Sequence, residues 1–208
     1  YDMPAGKEHW SLTAGRKNEG LKTSSQIQYV ARAGSFGEAG LPYTGALSVL
    51  RTIMGYDYLW NNVRVKGGAY GCMNNYTRNG SGYMVSYRDP NLEKTNRIFE
   101  ESVDYVEHFE VSERDMTKYI IGTMSNLDTP LNPNSKGMRS MSAWLQGVEE
   151  ETIQRERDQV LTCESGDIRA LAPYLRAVLS QKHICVIGNE AKLEEQKDLF
   201  ETVRNLFH

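Results

Sequence analysis

The chain has 208 residues, of which 39% are hydrophobic and 25% charged, and its net charge is −3. That composition buries a core and excludes a disordered or fibrous chain. The 24 Lys and Arg residues are dispersed, which leaves no basic patch for a phosphate backbone or an anionic lipid surface, and no apolar run approaches the roughly 20 residues that span a bilayer.

Residues 1–20 are polar and rich in Gly and Lys, and read as a linker or partly ordered segment. From Leu21 to Phe36 polar and apolar residues alternate, with Ile27, Tyr29 and Ala31 on one face; this period of two predicts one long strand. The run Gly34–Pro42 (GSFGEAGLP) breaks it. A helix is predicted over Tyr43–Trp60, where Leu47, Leu50, Met54 and Leu59 fall near one stripe. Strands follow at Gly68–Arg78 and Gly82–Tyr87, joined through Arg78–Gly82 (RNGSG), whose Asn-Gly is a hairpin signal. Asp89-Pro90 reads as a helix start, with Asp as cap and Pro in the first turn. That helix runs to about Phe109 and aligns Ile98, Ser102, Tyr105 or Val106, and Phe109. Ser112 with Asp115 resembles a capping box for a helix to about Ser125. Beyond the loop Asn126–Gly137, helices are predicted at Ser135–Gly147, Glu149–Thr162 and Asp167–Gln181, the last capped by Asp167. His183–Ile187 is a short buried strand, and Lys192–Phe207 a closing amphipathic helix.

No internal repeat or low-complexity stretch is present. A hairpin after a helix, with helices massed later, predicts an α+β sandwich: an antiparallel sheet with helices packed on one face.

The stretch Leu59–Gly71 (LWNNVRVKGGAYG), then a hairpin, then Ser86–Thr95 (SYRDPNLEKT) resembles the C-terminal domain of the presequence-protease branch of the pitrilysin/insulinase zinc peptidases. Asn18–Phe36, the loop around Leu127–Pro133 and the helix Arg155–Leu179 fit the same domain. The resemblance implies four related α+β domains in two halves that close around a peptide chamber. It places an HxxEH zinc motif and a distant Glu ligand in the N-terminal half. It gives the final domain an Arg and a Tyr, six residues apart, that face the zinc; these match Arg64 and Tyr70.

The chemistry of such a pair is plain. Zinc peptidases polarise the scissile carbonyl with the metal and activate water with a carboxylate, so the tetrahedral intermediate carries charge on oxygen. A Tyr hydroxyl can donate a hydrogen bond to that oxygen, and Arg can hold a neighbouring carbonyl. Gly67, Gly68 and Gly71 leave little bulk beside them, so a substrate backbone could approach closely, and Gly67 and Gly68 are the expected substrate-binding positions. Without the resemblance, this Arg reads as a surface charge and this Tyr as a packing residue.

The four histidines, His9, His108, His183 and His208, begin no HxxEH or HExxH. Asp104–His108 (DYVEH) has the spacing of HxxEH with Asp in the first place. Its helix already spends Tyr105, Val106 and Phe109 on a core stripe, so Asp104 and His108 read as a solvated face. The resemblance also puts the zinc motif on the helix after the first strand, and Tyr43–Trp60 contains no His. His183 reads as structural and Cys185, between Ile184 and Val186, as a small core residue. Cys72, Cys163 and Cys185 are odd in number, far apart and without a CxxC pair, which argues against a disulfide framework and fits a reducing compartment. Ser35 and Ser86 lack partners for a serine hydrolase, and GSFGEAG lacks the Lys-Ser/Thr ending of a phosphate loop. Val148–Asp158 (VEEETIQRERD) pairs opposite charges at helical spacing and reads as an exposed helix face.

The expectation is therefore a C-terminal, non-zinc domain over residues 21–208 of a zinc metallo-endopeptidase acting on short unstructured peptides. It closes the chamber with Arg64 and Tyr70, is inactive alone, and has the remaining domains of its polypeptide and an unstructured peptide as partners. Zinc is bound by another domain, and the resemblance implies a bacterial cytoplasm or an organelle matrix. The chain opens without an initiator Met, as a fragment would. The alternative is a structural or peptide-binding domain of a relative that has lost activity.

Overall fold

The alternating segment after residue 20 does not form one strand. In the computed structural model, which describes residues 18–207, it divides into β1 (Glu19–Thr23) and β2 (Gln28–Ser35). The hydroxyl of Thr23 accepts from the Ser25 amide at 3.2 Å and that of Ser25 from the Ile27 amide at 3.2 Å. These short side-chain bonds give the backbone a local alternative to the ladder and turn the chain. Most of the expected N-terminal segment, residues 1–17, lies outside the described residues, whereas Glu19 and Gly20 already belong to β1.

The helix α1 (Ala46–Ile53) continues without a break through π-helical turns at Met54–Tyr58 and Trp60–Val65, five residues past the predicted end. Leu47, Leu50, Met54 and Leu59 are all fully buried along it. The hairpin forms as β3 (Gly71–Tyr76) and β4 (Ser81–Asp89), with Gly80 at φ +86° in the turn. Asp89 ends β4 instead of capping a helix, and α2 (Glu93–Glu107) begins four residues later. Its carboxylate is buried and accepts from the Asn91 amide (2.8 Å) and the Thr95 hydroxyl (2.7 Å), so it still ties the strand end to the helix start.

The helices α3 (Glu113–Leu127), α4 (Pro133–Leu145) and α5 (Glu150–Leu161) follow, and Ser112 caps α3 by accepting from the Asp115 amide. The α5 surface is less solvated than its charge pattern suggests: Glu156 holds Arg78, and Arg157 holds Asp128. The next predicted helix is two, α6 (Ser165–Arg169) and α7 (Ala172–Ser180). Pro173 lies in the first turn of α7, where it has no amide to extend the preceding ladder. Glu164, not Asp167, is the α6 cap; Asp167 returns the bond to the Glu164 amide at 2.9 Å.

After β5 (His183–Asn189), the closing helix is only α8 (Glu190–Glu195), followed by a 3-10 turn at Lys197–Leu199 and a strand, β6 (Thr202–Asn205). The helical pattern of this segment yields to the free edge of β1: the Glu201 amide bonds the Asn18 carbonyl at 2.8 Å and the Leu206 amide the Lys22 carbonyl at 3.0 Å. An unpaired strand edge is a strong template, and here tertiary pairing overrides helix propensity.

The sheet order is β3-β4-β2-β5-β1-β6. It is antiparallel from β3 to β5, but β1 runs parallel to both β5 and β6. The expected α+β class holds, with a mixed sheet where an antiparallel one was predicted. Adjacent strands joined by a hairpin must be antiparallel, whereas β1, β5 and β6 meet from distant parts of the chain and no turn sets their direction.

The helices cover one face. Val30, Met84, Ile184 and Val186 are buried beneath them, with Phe99, Leu175 and Leu193 packed above. Arg32 is also on this side, 4% exposed, and donates to Asn96 (2.5 Å), Glu100 (2.9 Å) and the Leu179 carbonyl (2.9 Å). The opposite face has no covering layer among the described residues: Tyr29 is exposed, and Tyr83, Val85, Tyr87, Ile187 and Cys185 are half-buried. Cys185 is thus a residue of the open face, not of the core, since alternation along β5 buries Ile184 and Val186 instead. All three cysteines are free thiols. The outer helix α4 has no buried residue, and it exposes Met138, Met141, Trp144 and Leu145. No helix among the described residues is long and apolar enough to cross a membrane.

Candidate functional site

The π-helical turns after α1 carry Arg64, and neighbouring elements fix their path. The Tyr58 hydroxyl donates to the Ile98 carbonyl of α2 at 2.8 Å. Asp57 accepts from Asn61 (2.7 Å), from Tyr105 of α2 (3.1 Å) and from Tyr119 of α3 (3.3 Å). Burial, then the Asp57 charge, push the Tyr119 phenol up to about 12, and Tyr105 is raised from the same two causes. Residues four apart on a helical segment lie on one face, one above the other. Arg64 accordingly lies over the indole of Trp60, its guanidinium carbon 4.0 Å from the ring centroid.

The helix ends on glycine. Gly68 adopts φ +83°, and its amide bonds the Arg64 carbonyl at 2.8 Å. This left-handed residue is what lets the chain leave the helix and turn into β3. A side chain at Gly67 would run into the Val63 carbonyl, and its own carbonyl is taken by the Asn91 amide group at 2.6 Å. The Ala69 amide bonds the Val63 carbonyl at 3.2 Å, and the Tyr70 amide reaches across to the Arg88 carbonyl at 3.2 Å. Tyr70 is therefore held by its backbone to the end of β4, while its ring is 60% exposed and packs edge-on to Tyr87, centroids 5.6 Å apart.

Arg64 and Tyr70, six apart in sequence, line one open pocket of about 800 Å³ together with Ile27, Tyr29, Trp60 and Arg88. Gly68 lines it as well, while Gly67 lies behind it in the turn. The pocket sits at one end of the open sheet face; alternation along β2 turns Tyr29 toward it, and the register shift between Gln28 and Val30 sets two β4 residues, Tyr87 and Arg88, opposite that one. Arg88 was not singled out from sequence. Its backbone is left-handed (φ 49°), and its guanidinium carbon is 5.6 Å from the Tyr70 ring centroid. Trp60 and Arg88 both fall inside the two motif segments. A four-residue spacing to Arg64 could have marked Trp60; no sequence signal marks the backbone turn at Arg88.

The residues do not fit a metal. Among the described residues no group of three or more His, Cys, Asp or Glu side chains could hold an ion. Asp104 and His108 pair with each other at 3.2 Å on an exposed helix face, and Glu107 is bound to Arg176 at 3.0 Å. The thiols are blunted by burial, which pushes Cys72 up to about 11 and Cys163 up to about 12. What the pocket offers is two phenols, those of Tyr29 and Tyr70, two guanidiniums and apolar side chains: a set that binds and polarises carbonyls and carboxylates.

The same α+β fold is found in pitrilysin, with a TM-score of 0.56 and 13% identity over 88% of this chain and 21% of that one. Residues 18–190 match the PreP C-terminal domain family, and the chain belongs to it. It is 44% identical over 200 residues to protein HypA of Clostridium perfringens, covering 96% of this chain and 21% of that protein. It is 31% identical over 202 residues to presequence protease 1, chloroplastic/mitochondrial, of Arabidopsis thaliana, covering 95% of this chain and 19% of that one. The chain thus spans about a fifth of the length of these relatives. Its fold is similar to a peptidase M16 inactive domain from Pseudomonas fluorescens, with a TM-score of 0.62 and 14% identity over 90% of this chain and 47% of that one.

Proposed function

We propose that the chain serves as the closing wall of a zinc metallo-endopeptidase that degrades short unstructured peptides, with Arg64 and Tyr70 touching substrate. The observation that carries this reading is that both side chains line one accessible pocket at the end of an uncovered sheet face. Tyr70 makes no hydrogen bond through its hydroxyl among the described residues and projects to solvent. It is free to donate to an oxygen on which charge develops, and Arg64 to hold an adjacent peptide carbonyl. Gly68 keeps side-chain bulk away from the same wall. The remainder of the polypeptide, about four-fifths of the length of the relatives, is the natural partner. It would supply zinc and the water-activating carboxylate, for which the residues here offer no ligand set. The relatives named mitochondrial or chloroplastic favour an organelle matrix in eukaryotes, and a bacterial parent would work in the cytoplasm.

The test compares this chain and its full-length parent on one unfolded peptide. The chain alone is expected to show no turnover with or without zinc, and Tyr70→Phe in the parent to slow turnover by about 10²–10³. Robust turnover by the chain alone, or an unaffected Tyr70→Phe enzyme, overturns the reading. A second reading is a structural or peptide-binding domain of an inactive member. An HxxEH motif in the N-terminal part of the parent excludes it.

A further inference from the structure

Arg64 and Arg88 share one arrangement at the end of the open sheet face. Each guanidinium lies against an aromatic ring, Arg64 on Trp60 at 4.0 Å and Arg88 on Tyr70 at 5.6 Å. Neither takes part in any ion pair among the described residues, although Arg32, Arg78, Arg157, Arg169 and Arg176 all do. Among the described residues Arg51, Arg114, Arg139 and Arg155 also form no ion pair, but only Arg64 and Arg88 combine a ring contact with the lack of one; Arg78 lies 5.6 Å from the Tyr43 ring centroid and is paired with Glu156. No Asp or Glu lines their pocket; the other walls are Ile27, Tyr29, Val65 and the Gly68–Ala69 backbone. Two cations thus face one cavity whose lining holds no carboxylate; the adjoining Asp89 is buried and bound to Asn91 and Thr95.

The backbone supports the same conclusion. Arg88 is one of two non-glycine residues with positive φ among the described residues, a conformation that costs any residue with a side chain free energy and persists only where its surroundings impose it. Here they do. The Arg88 carbonyl is bound by the Tyr70 amide, and the next residue, Asp89, is buried and locked to Asn91 and Thr95. Extended backbone would send successive side chains to opposite faces of β4. The left-handed turn instead sets the Arg88 side chain on the same pocket as Tyr70.

We propose that this pocket takes a carboxylate of the bound peptide between Arg64 and Arg88, so that the domain selects peptides carrying an acidic group near the bond that Tyr70 serves. The proposal rests on the reading that this surface meets the peptide. A carboxylate fits because guanidinium is a planar fork that binds it through paired hydrogen bonds. The carboxylate could be a Glu or Asp side chain or the free C-terminus of the peptide.

The experiment uses the full-length parent and matched peptides. One set carries Glu or Gln at each position near the cleaved bond; another carries a free acid or an amide at the C-terminus. The wild-type enzyme is expected to favour one acidic member over its neutral partner by about 10- to 100-fold in kcat/KM, the range for a charge-assisted hydrogen bond. Which set shows the preference identifies the source of the carboxylate. Arg88→Ala should collapse the acid-to-neutral ratio toward one, and Arg88→Lys should restore part of it. Because the ratio is taken within each variant, loss of folded enzyme cancels. Tyr70→Phe should lower both members of a pair and keep their ratio. A wild-type ratio of one in both sets, or a ratio that Arg88→Ala leaves intact, overturns the proposal. A Tyr70→Phe enzyme with unchanged turnover would instead overturn the reading of the whole surface.

Discussion

Gly71 opens β3 directly opposite Tyr87 of β4. A Cβ on Gly71 would overlap the outer end of the Tyr87 ring, 2.5 Å from its Cζ. Gly71→Ala must therefore expel the ring, and Tyr70 loses the edge contact that Tyr87 provides. Overpacking of this kind costs about 1–3 kcal/mol, and a lost aromatic pair about 0.5–1.5 kcal/mol. Ala in a strand recovers roughly 0.5–1 kcal/mol relative to Gly. The net loss is thus about 0.5–4 kcal/mol, or a fall in Tm of about 1–16 °C for a domain of this size. Urea unfolding of the chain measures it. Tyr87→Ala removes the obstacle, so the double variant should be less destabilised than the sum of the singles by at least about 1 kcal/mol. In the full-length parent, Gly71→Ala should lower kcat/KM well beyond the fraction of enzyme unfolded, because Tyr70 is displaced. An additive double-mutant cycle, or a Gly71→Ala chain as stable as wild type, would refute this account of how Tyr70 is held.

Other outcomes follow from the same geometry. Tyr70→Phe should leave stability within about 0.5 kcal/mol, as an exposed substitution does, since the ring contacts with Tyr87 and Arg88 survive; this separates its expected loss of rate from misfolding. Leu47→Ala, at a fully buried position of α1, should cost about 2–5 kcal/mol in urea unfolding. At pH 8 iodoacetamide should label Cys163 only after unfolding, because burial both raises its thiol to about 12 and shields it; peptide mapping of the labelled chain checks this. Tyr119 ionises at about 12 in the fold against an ordinary value of 10. A raised acid of this kind stabilises fully below pH 10, and that contribution is lost as pH rises through 12. Tyr119→Phe should accordingly soften the alkaline fall in stability, measured by thermal unfolding from pH 9 to 12.

Much of the outline was legible in sequence because its signals are local. The apolar stripe of α1, the Asn-Gly hairpin and the Ser112 cap each depend on residues within one turn or one strand pair. The six-residue spacing of Arg64 and Tyr70 was legible too, through resemblance. The rest needed the fold. Alternation cannot reveal that Thr23 and Ser25 reverse the chain, since their hydroxyl bonds compete with a ladder of similar strength. A helical pattern cannot reveal that residues 202–205 become a strand, because the edge of β1 that captures them is some 180 residues away. Nor could the sequence show Arg88 beside Tyr70: that contact depends on a left-handed turn at the end of β4, an amide bond from Tyr70, and a buried Asp89 to hold both. Sequence alone determined which residues could do chemistry, because side-chain identity is local. Tertiary structure decided which of them share a pocket, because only long-range pairing brings the end of a helix, the start of one strand and the end of another to one place.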